Sequence, residues 1–380
     1  MNRLINILAI LLLFVCIFDP ENLVFGMKSI VFFGLVALTA VEVARKSKLS
    51  IDRDLINYIT SFLLIVTFSV IVLLFRDVAV WSNFGWVSYS KTFLFLLLTI
   101  VLSYNNINLI IPLRNMLNIL SMITIVIFIT VNGFPDLLEP IQHYGNDVGV
   151  FGISFRKYAD FSFNNVYFHT APLMIFNVTY YSYKLFVKGE KRALVWVLIT
   201  ICAMIFSGTR NNMILSLAAF SFYFFNANRK YLLLLVPLLF YFLAAYSDLI
   251  SAMFDSKDVS NEVRLSYLSD YGRELSNIWT LIFGQGLGSE FYVSTHDEYV
   301  SNTELTYLEI YRRFGILMGT GVIFLLVYPI IKFFKNISYR WLILAYTLYL
   351  IMIITNPFFF SSNGIILLSI VLLIDEYEEL

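Results

Sequence analysis

Three arginines, a glutamate, a histidine and one glycine-rich turn have the types and spacing that chemistry needs. Arg210 sits in Ser207-Gly208-Thr209-Arg210-Asn211-Asn212, a polar break between two apolar stretches. An arginine beside hydrocarbon is costly unless it snorkels or lines a wet cavity. Its planar guanidinium can grip two phosphate oxygens at once, which suits a diphosphate at a membrane surface. Arg264 is a second candidate phosphate ligand, and Arg156 adds positive charge beside the aromatic run 161–167, where rings suit stacking on sugars. The turn Gly284-Gln285-Gly286-Leu287-Gly288 does not match GxGxxG. Its three glycines, Gly284, Gly286 and Gly288, permit positive φ and close backbone approach, so its N–H groups can form an anion nest.

A hydroxyl that attacks a phosphorylated sugar needs a proton acceptor, and two residues compete for that role. Glu304 shares one helical face with Tyr307 and Tyr311, while His296 lies beside Asp297 and Glu298. Ser301-Asn302-Thr303-Glu304 also reads as a capping box, in which Glu304 serves a helix start and no chemistry. Spacing alone leaves these readings open. Glu309 with Arg312 and Arg313 at i+3 and i+4 reads as a structural ion cluster. The chain has no HExxH and no P-loop, and His143, His169 and His296 are far apart, so neither metal nor nucleotide cofactor is expected.

The elements that hold these residues are set by composition. Of 380 residues 59% are hydrophobic and 14% charged, with formal net charge zero. No soluble domain buries that much apolar surface, so an all-α polytopic membrane protein is expected. Apolar windows fall at 4–18, 24–44, 56–75, 91–104, 109–131, 166–185, 192–207, 212–226, 231–247, 305–333, 340–355 and 361–374, giving about 12 transmembrane helices in a single domain, 1–380. Lys and Arg collect in alternate loops, which places those loops and both termini in the cytoplasm. The opposite side receives two long segments, 132–165 and 248–302, the second between spans 9 and 10. The stretch 248–313 holds 11 of the 26 acidic residues. Within it Leu265, Leu268, Tyr271, Leu275, Ile278, Trp279 and Ile282 recur at helical spacing. They predict an amphipathic helix in the outer interface, with Ser260 as N-cap and Gly284 ending it.

Ser207-Gly208-Thr209-Arg210, then Arg264, then Phe283-Gly284-Gln285-Gly286-Leu287-Gly288, then Glu304-Leu305-Thr306-Tyr307-Leu308-Glu309 through Gly315, resemble in order the Wzy-type O-antigen polymerases and the related WaaL-type ligases. The resemblance covers the architecture, with motifs confined to about 207–320. It implies a GT-C-like glycosyltransferase of the bacterial inner membrane, multi-pass, with its active site facing the periplasm. Such an enzyme polymerises undecaprenyl-pyrophosphate-linked oligosaccharide repeats without metal and with inversion. Donor and acceptor would both be lipid-linked, with a chain-length regulator as a further partner and no nucleic acid. Arg210 and Arg264 would engage the pyrophosphate. The ligases carry a histidine where this chain has Glu304, a departure that favours a polymerase. The alternatives are a ligase acting on lipid A core or protein and, from another class, a lipid-linked sugar transporter or flippase.

Overall fold

The computed structural model describes residues 2–19, 26–46, 51–75, 85–158, 161–227, 259–295, 297–355 and 361–377. The ninth window, 231–247, and His296 lie outside the described residues. Four helices are long and apolar enough to cross a membrane: α2 (Met27–Lys46), α3 (Arg53–Leu74), α6 (Ile110–Gly133) and α13 (Thr306–Phe333). Only about a third of each is buried inside the protein. Leu64, Val126 and Leu317 stand in the open on these helices, each more than 60% exposed. A water-soluble protein does not present such stripes, whereas a bilayer solvates them. The chain is a helical, membrane-embedded protein.

Shorter apolar helices complete the bundle: α1 (Asn2–Phe18), α4 (Gly85–Leu94), α5 (Leu97–Tyr104), α8 (Ile175–Phe186), α9 (Ala193–Phe206), α10 (Arg210–Ala227), α14 (Arg340–Met352) and α15 (Ser362–Leu372). Three windows depart from single helices. Window 91–104 is split by a turn at Phe95-Leu96 between α4 and α5. Window 305–333 is interrupted at Gly315, whose φ of 68° and ψ of 178° leave the helical region. Window 166–185 opens as a strand and turns helical only after Pro172, which lies in a short 3-10 turn at Ala171–Met174. Proline starts a helix readily but donates no N–H to an earlier turn, so the helix cannot run back through it.

The segment 132–165 adds a strand pair to a fold that is otherwise mostly helical. It contains α7 (Leu138–Val148), followed by strand β1 (Phe151–Tyr158), which pairs antiparallel with β2 (Phe161–Phe168). Side chains alternate across this hairpin. Phe151, Ile153, Val166 and Phe168 fill one face, are buried, and lie on the side of α7, which packs on β1. Ser154, Arg156, Phe163, Asn165 and Tyr167 share the other face. That face meets α6, where Phe163 packs against Phe128 at 5.8 Å between ring centroids.

The segment that follows α10 also differs from expectation. The single amphipathic helix is two helices, α11 (Val259–Leu275) and α12 (Ile278–Phe283), followed by a small hairpin of β3 (Phe291–Val293) and β4 (Glu298–Val300). Ser260 lies within α11, one residue past its first, and not before it; Asn277 caps α12, its side chain accepting from Trp279 N at 2.9 Å. Gly284 ends α12 with φ 80°, at the expected position. Leu265, Leu268, Ile278 and Trp279 all look outward, while α11 turns Tyr267, Asp270 and Tyr271 inward. Leu265, Leu268, Ile278 and Trp279 of the expected stripe therefore face away from the protein, while Tyr271 of the same stripe faces into it.

Candidate functional site

Glu309, Arg312 and Arg313 are fully buried near the start of α13, and they tie the described residues of 259–302 to that helix. Glu309 Oε2 accepts from Arg312 Nη2 at 2.8 Å and from Arg313 Nε at 2.8 Å. Its other oxygen accepts from the Tyr271 hydroxyl of α11 at 2.7 Å. Burial pushes the Tyr271 phenol far above its usual range, and the Glu309 carboxylate adds to the shift. Arg312 Nη1 also donates to Gln285 Oε1 at 2.7 Å and to Ser289 Oγ at 2.8 Å, and its guanidinium lies 4.5 Å from the Phe291 ring centroid. Arg313 Nη2 donates to the Ser301 carbonyl at 2.5 Å, and its guanidinium lies 4.0 Å from the Tyr89 ring centroid. The ion cluster expected from i+3 and i+4 spacing is present, and it ties α4, α11, the glycine turn and β3 to one helix end.

The glycine turn serves that same joint. The break at Gly315 frees carbonyls that would otherwise accept within the helix. Gln285 N donates to Arg312 O at 2.6 Å and Gly286 N to Arg313 O at 3.0 Å. Gly284 N donates to Thr280 O and Leu287 N to Ser69 O. These four N–H groups are occupied by the protein, so the anion-nest reading is replaced by a plug for a broken helix. Gly284, Gly286 and Gly288 all have positive φ, as that turn demands. A Cβ on Gly286 would lie 2.6 Å from the backbone nitrogen of Leu73. Gly286→Ala is thus expected to cost more than about 1 kcal/mol. Purified in detergent, that variant should melt at lower temperature than the parent; an unchanged transition would contradict the packing described.

Held by this joint, Glu304 meets Arg264. Arg264 donates to Glu304 Oε2 through both Nε (3.1 Å) and Nη2 (2.9 Å). The pair is partly open to solvent, with side chains 30% and 48% exposed. The capping box does not form: α13 begins at Thr306 after Leu305, without a side-chain cap, and Glu304 points to α11 instead. Burial raises the Tyr267 phenol one turn along α11, with the Glu304 carboxylate as the next cause. Tyr307 is engaged elsewhere, donating to the Leu350 carbonyl of α14 at 2.9 Å, so its hydroxyl serves packing.

Arg210 opens α10 and is placed by the β1–β2 hairpin. Asn165 Nδ2 donates to the Ser207 carbonyl at 2.9 Å, and Ser154 Oγ donates to Asn165 Oδ1 at 2.6 Å. Gly208 has φ 69° and lies so close that a Cβ would come within 2.6 Å of the Asn165 side-chain nitrogen. Tyr167 lies two residues beyond Asn165 on the same face, roughly 7 Å along the strand. Burial holds its phenol well above the usual range, and the next contributors are Tyr349 and the Glu304 carboxylate. One hairpin face thus meets the loop before Arg210 through Asn165 and carries Tyr167, whose hydroxyl is exposed to the charge of Glu304.

Arg156 occupies that same face, and its Nε is buried without a hydrogen-bond partner among the described residues. Thr209 Oγ1 and Asn212 Oδ1, flanking Arg210, are likewise buried and unpartnered. Leaving such groups unpaired costs about 1–3 kcal/mol each, so native proteins tolerate few of them. They supply a donor suited to phosphate oxygen and acceptors suited to hydroxyls. Sequence reasoning missed Ser154, Asn165 and Tyr167; the period-2 alternation through 151–158 was the signal that marks them. No protein-family model, curated protein or solved structure matches the chain.

Proposed function

We propose that the protein is a glycosyltransferase that polymerises undecaprenyl-pyrophosphate-linked oligosaccharide repeats at the outer face of the bacterial inner membrane. The observation that carries the reading is the pair of unsatisfied buried atoms on Thr209 and Asn212 flanking Arg210, with the unsatisfied Arg156 Nε on the hairpin face that holds the Ser207 carbonyl, and beside these the Arg264–Glu304 pair. The order of motifs through 207–320 supports the same reading. In the reaction, the acceptor sugar oxygen bonds to C1 of the donor sugar as the C1–oxygen bond to the diphosphate breaks. The hydroxyl proton passes to a base, and undecaprenyl diphosphate departs carrying the bonding electrons.

In this reading Arg210, Arg156 and Arg264 hold the diphosphate, whose negative charge grows as it leaves. Arg264 has a second duty. In the free protein it is paired with Glu304, and a diphosphate that competes for its donors releases the carboxylate to accept the proton. Substrate binding and base activation are then one event.

The test is purified protein supplied with a defined undecaprenyl-pyrophosphate repeat unit. A ladder of lengthening glycans with release of undecaprenyl diphosphate is expected. Transfer only when lipid A core or protein is added would indicate a ligase, and passage of the lipid-linked sugar across vesicles without a new glycosidic bond would indicate a transporter. Either outcome overturns the polymerase reading.

A further inference from the structure

A cavity of about 770 Å³ lies between the ends of α8, α10, α13 and α14 remote from Glu304. Its volume is in the range of about 300–1,000 Å³ usual for small-molecule sites. Ile330, which lines it, follows Ile316 by 14 positions on the part of α13 past the break at Gly315, a separation of roughly 21 Å at about 1.5 Å per residue from the end that carries Glu309. It is therefore not part of the diphosphate site. The walls are almost wholly apolar, formed by residues such as Tyr223, Ile330, Phe334, Ile337 and Leu344. Phe334 and Ile337 are 67% and 70% exposed, so the groove opens sideways and is not sealed by the bundle.

Among the described residues its single charged lining residue is Arg340, at the start of α14, and no acidic side chain lines it. The Arg340 guanidinium has no hydrogen-bond or ion-pair partner among the described residues. Lys188 stands beside the groove, 5.8 Å from the ring centroid of Tyr183, which lines the wall. The neighbouring basic groups are differently placed: Lys184 is paired with Glu190 at 3.0 Å, and Lys332 approaches Asp52 at 3.9 Å. The groove thus combines an apolar slot open to lipid with two cations at its rim. A free anion leaves the slot unfilled, and a neutral lipid leaves the cations unanswered. A molecule with a hydrocarbon tail and an anionic phosphate head answers both.

We infer that this groove binds an anionic phospholipid of the bilayer leaflet that contacts the basic loops, with an acyl chain between α10 and α14 and its phosphate on Arg340. Lysine and arginine enrichment at this end is what an anionic leaflet attracts. The site is independent of the glycosyltransferase reading and stands or falls separately.

The full-length protein, purified in mild detergent with equimolar phosphatidylglycerol and phosphatidylcholine, is examined by native mass spectrometry. Retention of one phosphatidylglycerol in preference to phosphatidylcholine is expected. Arg340→Ala should weaken that preference about tenfold, the loss of one charge-assisted contact, while Arg340→Lys keeps part of it. Thr347→Trp narrows the apolar wall without altering the charge, and it should expel the bound lipid; thermal unfolding checks that each variant is folded. Equal retention of the two lipids by the parent overturns the proposal, as does undiminished preference in Arg340→Ala or undisturbed lipid in Thr347→Trp. A photoreactive residue at position 344 should label lipid; labelling of residues 231–247 instead would assign the groove to the chain itself.

Discussion

Glu309→Ala is expected to yield little folded protein, and what survives extraction should melt far below the parent. Two guanidinium groups, fully buried, share this one carboxylate. The triad already carries an excess positive charge, offset by carbonyls of Ser289 and Ser301 and by the Phe291 and Tyr89 rings. Taking one partner from a buried ion pair costs about 3–5 kcal/mol, because the remaining charge stays where water cannot reach it. Here a single deletion strands two cations and also removes the acceptor of the Tyr271 hydroxyl. Such a loss consumes a large share of the roughly 5–15 kcal/mol that holds a typical protein folded. Glu309→Gln keeps the shape and one acceptor oxygen, so it should fall between alanine and the parent. The checks are monodispersity after detergent extraction and the temperature of thermal unfolding. Parental values for Glu309→Ala would mean that the cluster does not hold the described residues of 259–302.

That cluster was legible in the sequence because its logic is local. Glutamate and arginines three and four positions apart on a helix must meet, whatever the rest of the fold does. The apolar windows were legible for a similar reason, since a bilayer imposes length and hydropathy on each crossing segment. The glycine turn was harder to read. Glycines at 284, 286 and 288 announced positive φ, but their N–H partners are the Arg312 and Arg313 carbonyls freed by a break at Gly315. Nothing in the residues around Gly315 distinguishes a helix-breaking glycine from one tolerated within an apolar helix. The β1–β2 hairpin was hidden because its aromatic residues run into the window 166–185, so strand and helix read as one hydrocarbon stretch. Glu304 stood open between two readings in the sequence. The letters of a capping box were in place, yet the carboxylate turned to Arg264, a partner 40 positions earlier on another helix. Tertiary pairing of that kind has no local signature.

The Arg264–Glu304 pair yields the sharpest test of the proposed chemistry, because a structural role and a reactive role predict opposite results for one variant. Glu304→Gln should fold like the parent, since the pair is partly exposed and such pairs contribute only about 0–1 kcal/mol. If Glu304 takes the proton, turnover should nevertheless drop about 10²- to 10⁴-fold, with lipid-linked single repeats accumulating. Arg264→Ala leaves the carboxylate free but removes charge-assisted hydrogen bonds to the diphosphate, so polymer should again be lost, here with weaker donor binding. The decisive variant is the exchange, Arg264→Glu with Glu304→Arg. It restores opposite charges across the same gap between α11 and the start of α13. Were the pair merely a clasp, the exchange would recover the ladder of glycans. Were it a cation for the diphosphate and a base for the hydroxyl, each would now stand where the other is needed. The expected result is a protein with parental melting behaviour and no ladder on a gel, and recovery of the ladder would remove both residues from the reaction.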